Sequence, residues 1–279
     1  MQRALLAVLA HPDDESYGPG GTLARYAAEG VQVHVAIATD GAAGTAAKGY
    51  ESLQDELAPH RSKELERAAA ILGVTLHRLG YRDSGMSGNP ANKHPQAFIQ
   101  ADEQTAIGQV VQLIREIRPQ VVMTHDETGG YFHPDHIMCW KITTAAFLAA
   151  GKADQYPDKG PAPFQPERLY YTAFSNRWLK LIIALMRLRG QDPTKVGRNK
   201  DIDFTKLGLP PGKIHAYIDY RRYWDVKARA SAEHGSQGGG AGFSRLMPAF
   251  LQKWLFGVET FQRAYPPVPD GFREKDFFA

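Results

Sequence analysis

Two short segments of this sequence concentrate side chains that can bind a metal ion. The first, residues 11–15 (HPDDE), directly follows an uncharged apolar run at residues 4–10 that has the length of a strand buried on both faces. Ionisable groups at the mouth of such a strand need a partner that compensates their charge, and a divalent cation is the simplest one. His11 and Asp14 offer a nitrogen and an oxygen ligand, a pair that suits zinc.

The second segment, residues 131–136 (YFHPDH), follows another short apolar run at residues 121–124 and a glycine pair. In an open parallel sheet the carboxyl ends of the strands form one edge, where sites are built. His136 would there complete a set of two histidines and one aspartate, which leaves a coordination position open for water. We therefore predict one catalytic Zn²⁺ per chain, held by His11, Asp14 and His136, and expect other divalent ions to be accepted as well.

Together the two motifs resemble the PIG-L/LmbE family of zinc-dependent N-acetylglucosamine deacetylases. The likeness is dense from residue 5 to residue 146 and thinner beyond. Within the family, the RDSGM and GGYFHPDH segments are most similar to the mycothiol-pathway deacetylases, with the bacillithiol-pathway enzymes as close cousins. RDSGM is residues 82–86, and two further segments share the resemblance: residues 39–41 (TDG) and 61–64 (RSKE).

The neighbours of the predicted ligands are candidates for catalysis. Asp13 is adjacent to a predicted ligand and is not itself required by the metal, and the resemblance implies that it is the general base that moves a proton from water to the leaving nitrogen. Its alternative role is to orient a histidine. The resemblance implies that His133 stabilises the developing oxyanion as a cationic imidazole, with Asp135 as its natural partner. Tyr131 matches the family's active-site tyrosine and would donate to the same oxyanion, unless it only packs against its loop.

Other polar residues receive weaker assignments. Arg61 and Asp83 match substrate-binding positions in the family's thiol-pathway members, although an arginine on a helix surface is an equal reading of Arg61. Glu15 is left open between support for the site and a backbone contact in the next turn. His125 and Asp126 directly follow the predicted strand at 121–124 and are assigned supporting positions near the site. Five other histidines have no partner at ligand spacing and are interpreted as ordinary surface or core residues: His60, His77, His94, His215 and His234.

Composition excludes several classes of function. The 279 residues include 33 basic and 30 acidic ones, a net charge of +3 that gives no electrostatic case for nucleic acid or a membrane surface as partner. The one cysteine, Cys139, cannot form an intramolecular disulfide and is interpreted as a buried small hydrophobe. No signal-peptide pattern or membrane-length apolar stretch is found, so we expect a cytoplasmic protein, with a homo-oligomer left open.

The order of the elements predicts an α/β fold, a Rossmann-like and mostly parallel sheet flanked by helices. We interpret residues 1–279 as a single domain, with a metal-binding core at 1–150 and a smaller C-terminal elaboration at 151–279 that borders the site. Strands are predicted at residues 4–10, 31–39, 75–81, 121–124, 168–174 and 213–220. Helices are predicted at residues 19–30, 59–72, 102–118, 134–150, 177–190, 221–234 and 243–256. Irregular segments are predicted at 151–166 (proline-rich), 191–212 (a candidate lid), 235–242 (a flexible glycine-rich loop) and the tail beyond 256.

The leading functional hypothesis is a small-molecule enzyme. It would hydrolyse the acetamide of an N-acetylglucosamine conjugate of the inositol or malate type in low-molecular-weight thiol biosynthesis, and release acetate and the free amine. A deacetylase of another N-acetylated glycan or antibiotic precursor is the alternative within the same chemistry. A non-catalytic, metal-containing sugar-binding protein is the alternative from another class, and the open coordination position and the spare Asp13 argue against it.

Overall fold

The fold is organised around one seven-stranded sheet. The computed structural model describes residues 2–196, 202–240 and 248–279. The strands are β1 (Ala4–Leu9), β2 (Gln32–Thr39), β3 (Thr75–Tyr81), β4 (Val121–Thr124), β5 (Arg168–Ala173), β6 (Ala216–Asp219) and β7 (Val258–Tyr265). Their order in the sheet is β3-β2-β1-β4-β5-β7-β6, and β3 to β5 are parallel. This confirms the predicted mostly parallel sheet.

Helices cover both faces of the sheet. They are α1 (Asp14–Tyr17), α2 (Gly20–Ala28), α3 (Leu57–Leu72), α4 (Glu103–Ile117), α5 (Gly129–Phe132), α6 (Pro134–Ala149), α7 (Asn176–Leu188), α8 (Trp224–Glu233) and α9 (Ala249–Phe256). All six residues of β1 are buried, and alternate ones enter opposite clusters: Leu6 and Val8 pack with α4 and α6, while Leu5 and Leu9 pack with α2 and α3. Because helices cover both faces of the sheet at β1, every side chain of this strand is buried, which explains why the strand carries no charged residue.

One strand was missed by the sequence analysis, which predicts only an irregular tail beyond residue 256. In the structure β7 runs antiparallel between β5 and β6. Its sequence, VETFQRAY, buries only Phe261 fully, so it lacks the clean alternation of apolar residues that marks a strand. The prediction of an irregular tail is wrong here because pairing on both sides, rather than burial of one face, holds this strand in place.

The proline-rich excursion at residues 151–166 is held by one buried cation, Arg115 of α4. Its side chain is 1% exposed, and all five of its N–H groups donate to carbonyl oxygens. The acceptors are the backbone oxygens of Ala150, Lys152, Gln155, Tyr156 and Lys159, at 2.5–3.1 Å. A segment without regular structure is thus given a defined shape by one side chain.

The final residues of the chain return to the centre of the molecule. Phe277 is fully buried and stacks on Tyr170 and Tyr26, with ring centroids 4.1 and 5.4 Å apart, and it meets Phe261 edge-on. The hydroxyl of Tyr26 accepts a hydrogen bond from the amide of Phe277 at 2.7 Å. This contact joins α2, β5 and β7 on one face of the sheet.

Some predictions concern residues outside those described. Residues 243–247 of the predicted helix 243–256, residues 241–242 of the glycine-rich loop and residues 197–201 of the candidate lid fall there. The remaining part of the last predicted helix is α9. Within the described residues, no helix combines the length and apolarity needed to cross a membrane.

Candidate active site

Two neighbouring strands deliver the candidate site to one edge of the sheet. β1 ends at Leu9 and is followed by residues 11–15, while the adjacent β4 ends at Thr124 and is followed by the loop that leads into α5 and α6. Because β1 and β4 are parallel, both segments leave the same edge, as expected from the sequence. His11, Asp135 and His136 are all nearly or fully buried there.

Three ligand atoms of the predicted metal set form a compact triangle. Nδ1 of His11 lies 3.1 Å from Nε2 of His136 and 3.5 Å from Oδ2 of Asp14, and the same Asp14 oxygen lies 3.4 Å from Nε2 of His136. In a tetrahedral zinc site with bonds of about 2.0–2.2 Å, ligand atoms are about 3.3–3.6 Å apart. The two distances to Asp14 lie in this range, and the two histidine nitrogens need to separate by only about 0.2 Å for the three side chains to hold a divalent cation.

The hydrogen bonds of the two histidines point their lone pairs at this triangle. Nε2 of His11 faces two carboxylate oxygens, of Asp83 at 3.4 Å and of Asp135 at 3.2 Å, so it carries the proton and leaves Nδ1 free. Nδ1 of His136 donates to the carbonyl oxygen of Gly129 at 3.1 Å, which leaves its Nε2 free. Burial holds the pKa of His136 well below its ordinary value, which favours the neutral imidazole that a metal needs.

His125 also approaches Asp14 and His136. Its ring stacks on that of His136 with centroids 3.8 Å apart, and its Nε2 lies 3.5 Å from Oδ2 of Asp14. The same Nε2 accepts the amide hydrogen of Ala10 at 3.2 Å, so its lone pair is directed at the backbone. The geometry thus agrees with the supporting position that the sequence analysis assigns to His125.

Asp13 sits beside the triangle in an unusual backbone conformation. Its φ is 136° and its ψ is −27°, a region that a non-glycine residue enters at a cost of about 1–3 kcal/mol. Oδ2 of Asp13 lies 3.1 Å from Nη2 of Arg61, and the Asp13 amide donates to Oε2 of Glu15 at 3.0 Å. Burial raises the pKa of Asp13 to about 6, against the opposing charge of Arg61.

The structure corrects the predicted partnership between His133 and Asp135. The Asp135 carboxylate accepts from the amide of Ser84 at 2.9 Å and from His11, whereas it is the Asp135 amide that donates to Nδ1 of His133, at 3.2 Å. His133 caps the start of α6 through that bond. Side chains two residues apart at a helix start diverge, so the carboxylate reaches the other histidine.

The environment of His133 also differs from the expected cationic one. Burial lowers the pKa of His133 to about 3. Since Nδ1 accepts the Asp135 amide, a neutral ring carries its hydrogen on Nε2. His133 is therefore a neutral donor of fixed tautomer in this structure.

Tyr131 is placed by the loop between β4 and α6. Oδ1 of Asp126 accepts from the amides of Thr128 and Gly130, at 3.0 and 2.8 Å, and so shapes the turn that precedes Tyr131. The Tyr131 ring meets those of His133 and His136 edge-on, at centroid distances of 5.8 and 5.0 Å. Burial raises the pKa of its phenol, which keeps it protonated and able to donate.

A cavity of about 570 Å³ opens beside these side chains. Arg61 and Asp83, the predicted substrate-binding pair, both line it, together with Tyr131 and His133. Arg61 is only 3% exposed, which rules out the surface reading of that residue. Its guanidinium donates to the carbonyl oxygens of Pro12 at 2.5 Å and Gly41 at 2.9 Å, so Arg61 also fixes the walls of the cavity.

Several residues of the site were missed by the sequence analysis. Met86, Ile202 and Gln237 line the cavity, and His234 bonds to Glu15 beneath it. Burial acts to lower the pKa of His234, but the hydrogen bond and charge of Glu15 raise it above its ordinary value. Met86 lies in the RDSGM segment, which could have indicated it, whereas no local pattern marks Ile202, Gln237 or His234, because they reach the site only through the tertiary fold.

Comparison with known proteins gives one family and a consistent set of relatives. The family described as "PIG-L: GlcNAc-PI de-N-acetylase" matches residues 6–147. A 1D-myo-inositol 2-acetamido-2-deoxy-alpha-D-glucopyranoside deacetylase from Thermobifida fusca is 38% identical over 291 aligned positions, which cover 99% of each chain. The protein of the same name from Acidothermus cellulolyticus is 40% identical and covers 100% of this chain and 95% of its own.

Solved structures agree on the fold. A conserved protein from Thermus thermophilus superimposes with a TM-score of 0.61 at 24% identity, covering 95% of both chains. The N,N'-diacetylchitobiose deacetylase from Pyrococcus horikoshii gives a TM-score of 0.60 at 20% identity, over 94% of this chain and 83% of its own. At these identities the likeness concerns the fold alone.

Proposed function

The chain belongs to the PIG-L family of de-N-acetylases, and on that premise we propose that it hydrolyses the acetamide of 1D-myo-inositol 2-acetamido-2-deoxy-α-D-glucopyranoside. The products are acetate and the free amine of the glucosaminyl-inositol. The reaction would be an N-deacetylation step of low-molecular-weight thiol biosynthesis. The observation that carries the proposal is the triangle of His11, Asp14 and His136 with Asp13 beside it. His11 and Asp13 line a cavity large enough for a disaccharide-sized ligand.

The metal is proposed to be a single divalent cation, with Zn²⁺ as the first candidate. His11, Asp14 and His136 would hold it through Nδ1, Oδ2 and Nε2, the atoms that form the triangle. When it is bound, such a cation supplies Lewis acidity, which polarises an amide carbonyl and makes water easier to deprotonate. Asp83 and Asp135 hold the proton on the far side of the His11 ring and so keep its ligand nitrogen available.

Asp13 is proposed as the proton carrier of the reaction. Its carboxylate accepts a proton from the attacking water while oxygen bonds to the carbonyl carbon. The same proton is then delivered to the leaving nitrogen as the carbon–nitrogen bond breaks. A pKa raised by burial to about 6 suits a group that must both take and return a proton near neutral pH.

His133 and Tyr131 are proposed to stabilise the negative charge that develops on the amide oxygen. Each can present one hydrogen: Nε2–H of a neutral His133, whose tautomer is set by the Asp135 amide, and the phenol of Tyr131. A neutral donor held in place by its surroundings stabilises an oxyanion without reorganisation. The charge on His133 that the sequence suggests is therefore not required.

Arg61 and Asp83 are proposed to bind sugar hydroxyls from the cavity wall, where both are located. The curated relatives described above carry the inositol conjugate in their names, which supports inositol as the aglycone. The names of these relatives give no such support to the malate conjugate or to the bacillithiol pathway. A cytoplasmic location remains a prediction from the sequence.

The test is release of acetate from a panel of conjugates. The purified protein, loaded with Zn²⁺, is assayed with the GlcNAc-inositol conjugate, GlcNAc-malate and N,N'-diacetylchitobiose at equal concentration. We expect kcat/KM for the inositol conjugate to exceed the other two by at least about tenfold, the discrimination that roughly 1.4 kcal/mol of differential transition-state binding provides. Binding without acetate release would instead support a sugar-binding protein, and preference for chitobiose would support another glycan.

A further inference from the structure

A buried histidine–glutamate pair lies beneath the candidate site. Nε2 of His234 and Oε1 of Glu15 are 2.7 Å apart, and both side chains are fully buried. A carboxylate only accepts, so the hydrogen lies on Nε2 of His234. His234 follows α8, whereas Glu15 belongs to α1, which directly follows Asp13. The pair thus joins the C-terminal third of the chain to the HPDDE segment.

Glu15 connects this pair to the backbone of Asp13. Its Oε2 accepts the Asp13 amide hydrogen at 3.0 Å, and its Oε1 accepts from the hydroxyl of Ser16 at 2.6 Å as well as from His234. The Glu15 carboxylate is therefore held by two donors on one oxygen while the other oxygen holds Asp13. A rotation of Glu15 would break the bond to the Asp13 amide.

The backbone conformation of Asp13 needs hydrogen bonds of this kind to stabilise it. With φ at 136° it occupies a region that a residue with a Cβ rarely adopts, and it persists only if surrounding contacts over-determine it. Arg61 supplies one hold by donating to the carbonyl oxygen of Pro12 and approaching the Asp13 carboxylate. Glu15 holds the amide side of the same residue, and the Asp13 carbonyl oxygen accepts from the amides of Ser16 and Tyr17 at 3.0 and 2.9 Å.

His234 is itself fixed in place by its own segment. Its carbonyl oxygen accepts from the Tyr17 hydroxyl at 3.2 Å and from the Gly239 amide at 2.9 Å, and the Tyr17 ring meets its imidazole edge-on. The neighbouring Ser236 bonds to the buried Glu64 through both its amide and its hydroxyl, at 2.8 and 2.6 Å. In the described part of the segment after α8, His234 and Ser236 are thus each held by several hydrogen bonds to other parts of the fold.

We propose that His234 is a positioning residue for catalysis, which acts through Glu15 to hold Asp13 in the backbone conformation that aims its carboxylate at the reacting water. The proposal rests on the role of Asp13 in the proposed function. In the contacts described, the His234 imidazole touches neither the side chains that line the cavity nor the three candidate metal ligands. Its hold on the Asp13 backbone therefore passes through Glu15.

The test compares His234→Ala with Glu15→Ala, the double variant and the conservative His234→Gln. Each single alanine variant should lower kcat about 10–100-fold, the usual loss when a supporting partner is removed, with KM within about twofold of the original because the sugar contacts remain. The double variant should be no slower than the worse single variant, since both act through one bond. His234→Gln, whose amide can donate from a similar position, should recover most of kcat.

Two readouts do not depend on turnover. Hydrogen exchange of the peptide that contains the Asp13 amide should become faster in His234→Ala and stay slow in His234→Gln, whether or not any substrate is cleaved. The zinc content of both the His234→Ala and the His234→Gln protein should remain at one ion per chain. His215→Gln is the matched control, because His215 is also buried and accepts one backbone hydrogen bond, from Arg263, away from the HPDDE segment; its kcat and its exchange at Asp13 should be unchanged.

Several results would overturn the positioning role. They are a raised KM with normal kcat, loss of zinc, additive losses in the double variant, or unchanged exchange at Asp13. If the original protein cleaves no acetamide and exchange at Asp13 still responds to His234→Ala but not to His215→Gln, the proposed function fails while the structural linkage stands. Normal turnover in His234→Ala would remove the linkage while leaving the proposed function intact.

Discussion

Among single side chains, His136 and His125 differ in where their free nitrogen points, although their rings stack. His136→Ala should reduce bound zinc from one ion per chain to almost none and abolish acetate release, because two remaining ligands hold the ion too weakly. His125→Gln should retain the ion, since a glutamine oxygen can still accept the Ala10 amide. Elemental analysis of both purified variants measures this. If His136→Ala retained its zinc and His125→Gln lost it, His125 rather than His136 would be the metal ligand.

Asp13 offers a second test at the same scale. Asp13→Asn keeps the shape of the side chain but removes the base, so zinc should stay bound while kcat falls by about 10²–10⁴-fold. Asp102→Asn is a matched control, because Asp102 is an exposed cap of α4 and asparagine caps equally well. Steady-state kinetics with metal analysis separates the outcomes. If Asp13→Asn lost both zinc and activity, Asp13 would be a metal ligand or a residue that supports one, rather than the base.

The residues of the site differ in how far sequence could predict their contacts. His11, Asp14 and His136 could be brought together because each lies in a segment that follows a strand, and parallel strands end at one edge. The partner of the Asp135 carboxylate could not be predicted from the sequence, since the choice between His133 and His11 depends on side-chain direction at the start of α6. His234 could not be found at all, because 219 residues separate it from Glu15.

At the level of elements, Arg115 should be essential for the excursion at 151–166. Arg115→Met keeps most of the volume but leaves five buried or part-buried carbonyl groups without their donor, so the free energy of unfolding should fall by about 2–4 kcal/mol. Arg78→Met, which breaks an exposed pair with Glu66, should cost at most about 1 kcal/mol. Urea unfolding compares them. Equal losses would mean that the excursion holds its shape without Arg115.

The pairing of β2 and β3 should be sensitive to acid. His34 and His77 stack with 3.0 Å between Nδ1 and Nε2, and burial lowers the pKa of both. The unfolded chain binds these protons near pH 6.5, about the ordinary histidine pKa, so stability should fall as the pH drops below that value. Urea unfolding at pH values of about 7.5 and 5.5 measures the loss.

His77→Gln should make that loss smaller, because it removes one of the two groups that must stay neutral. His94→Gln, a histidine whose ring accepts a local amide hydrogen from Gln96, should leave it unchanged. An equally acid-sensitive His77→Gln protein would place the effect elsewhere in the molecule. Sequence analysis predicts both strands correctly, but it cannot see this pair, since the register that joins them is set by the sheet.

For the whole molecule, Phe277 should contribute much of the stability of the packing between α2, β5 and β7. Phe277→Ala removes a fully buried ring from between Tyr26, Tyr170 and Phe261, and should lower the free energy of unfolding by about 3–5 kcal/mol. Phe250→Ala, at a ring that is 75% exposed, should change it by no more than about 0.5 kcal/mol. Calorimetry or urea unfolding decides between them, and a small effect of Phe277→Ala would show that the tail only rests on the surface.

The place of Phe277 also bears on how the protein is made. A ribosome releases Tyr26 long before the ring that stacks on it, because 251 residues separate Tyr26 from Phe277. During synthesis, at about 5–20 residues per second, the apolar surface of α2 around Tyr26 waits uncovered for more than about ten seconds. The packing around Tyr26 is therefore completed only after Phe277 has left the ribosome.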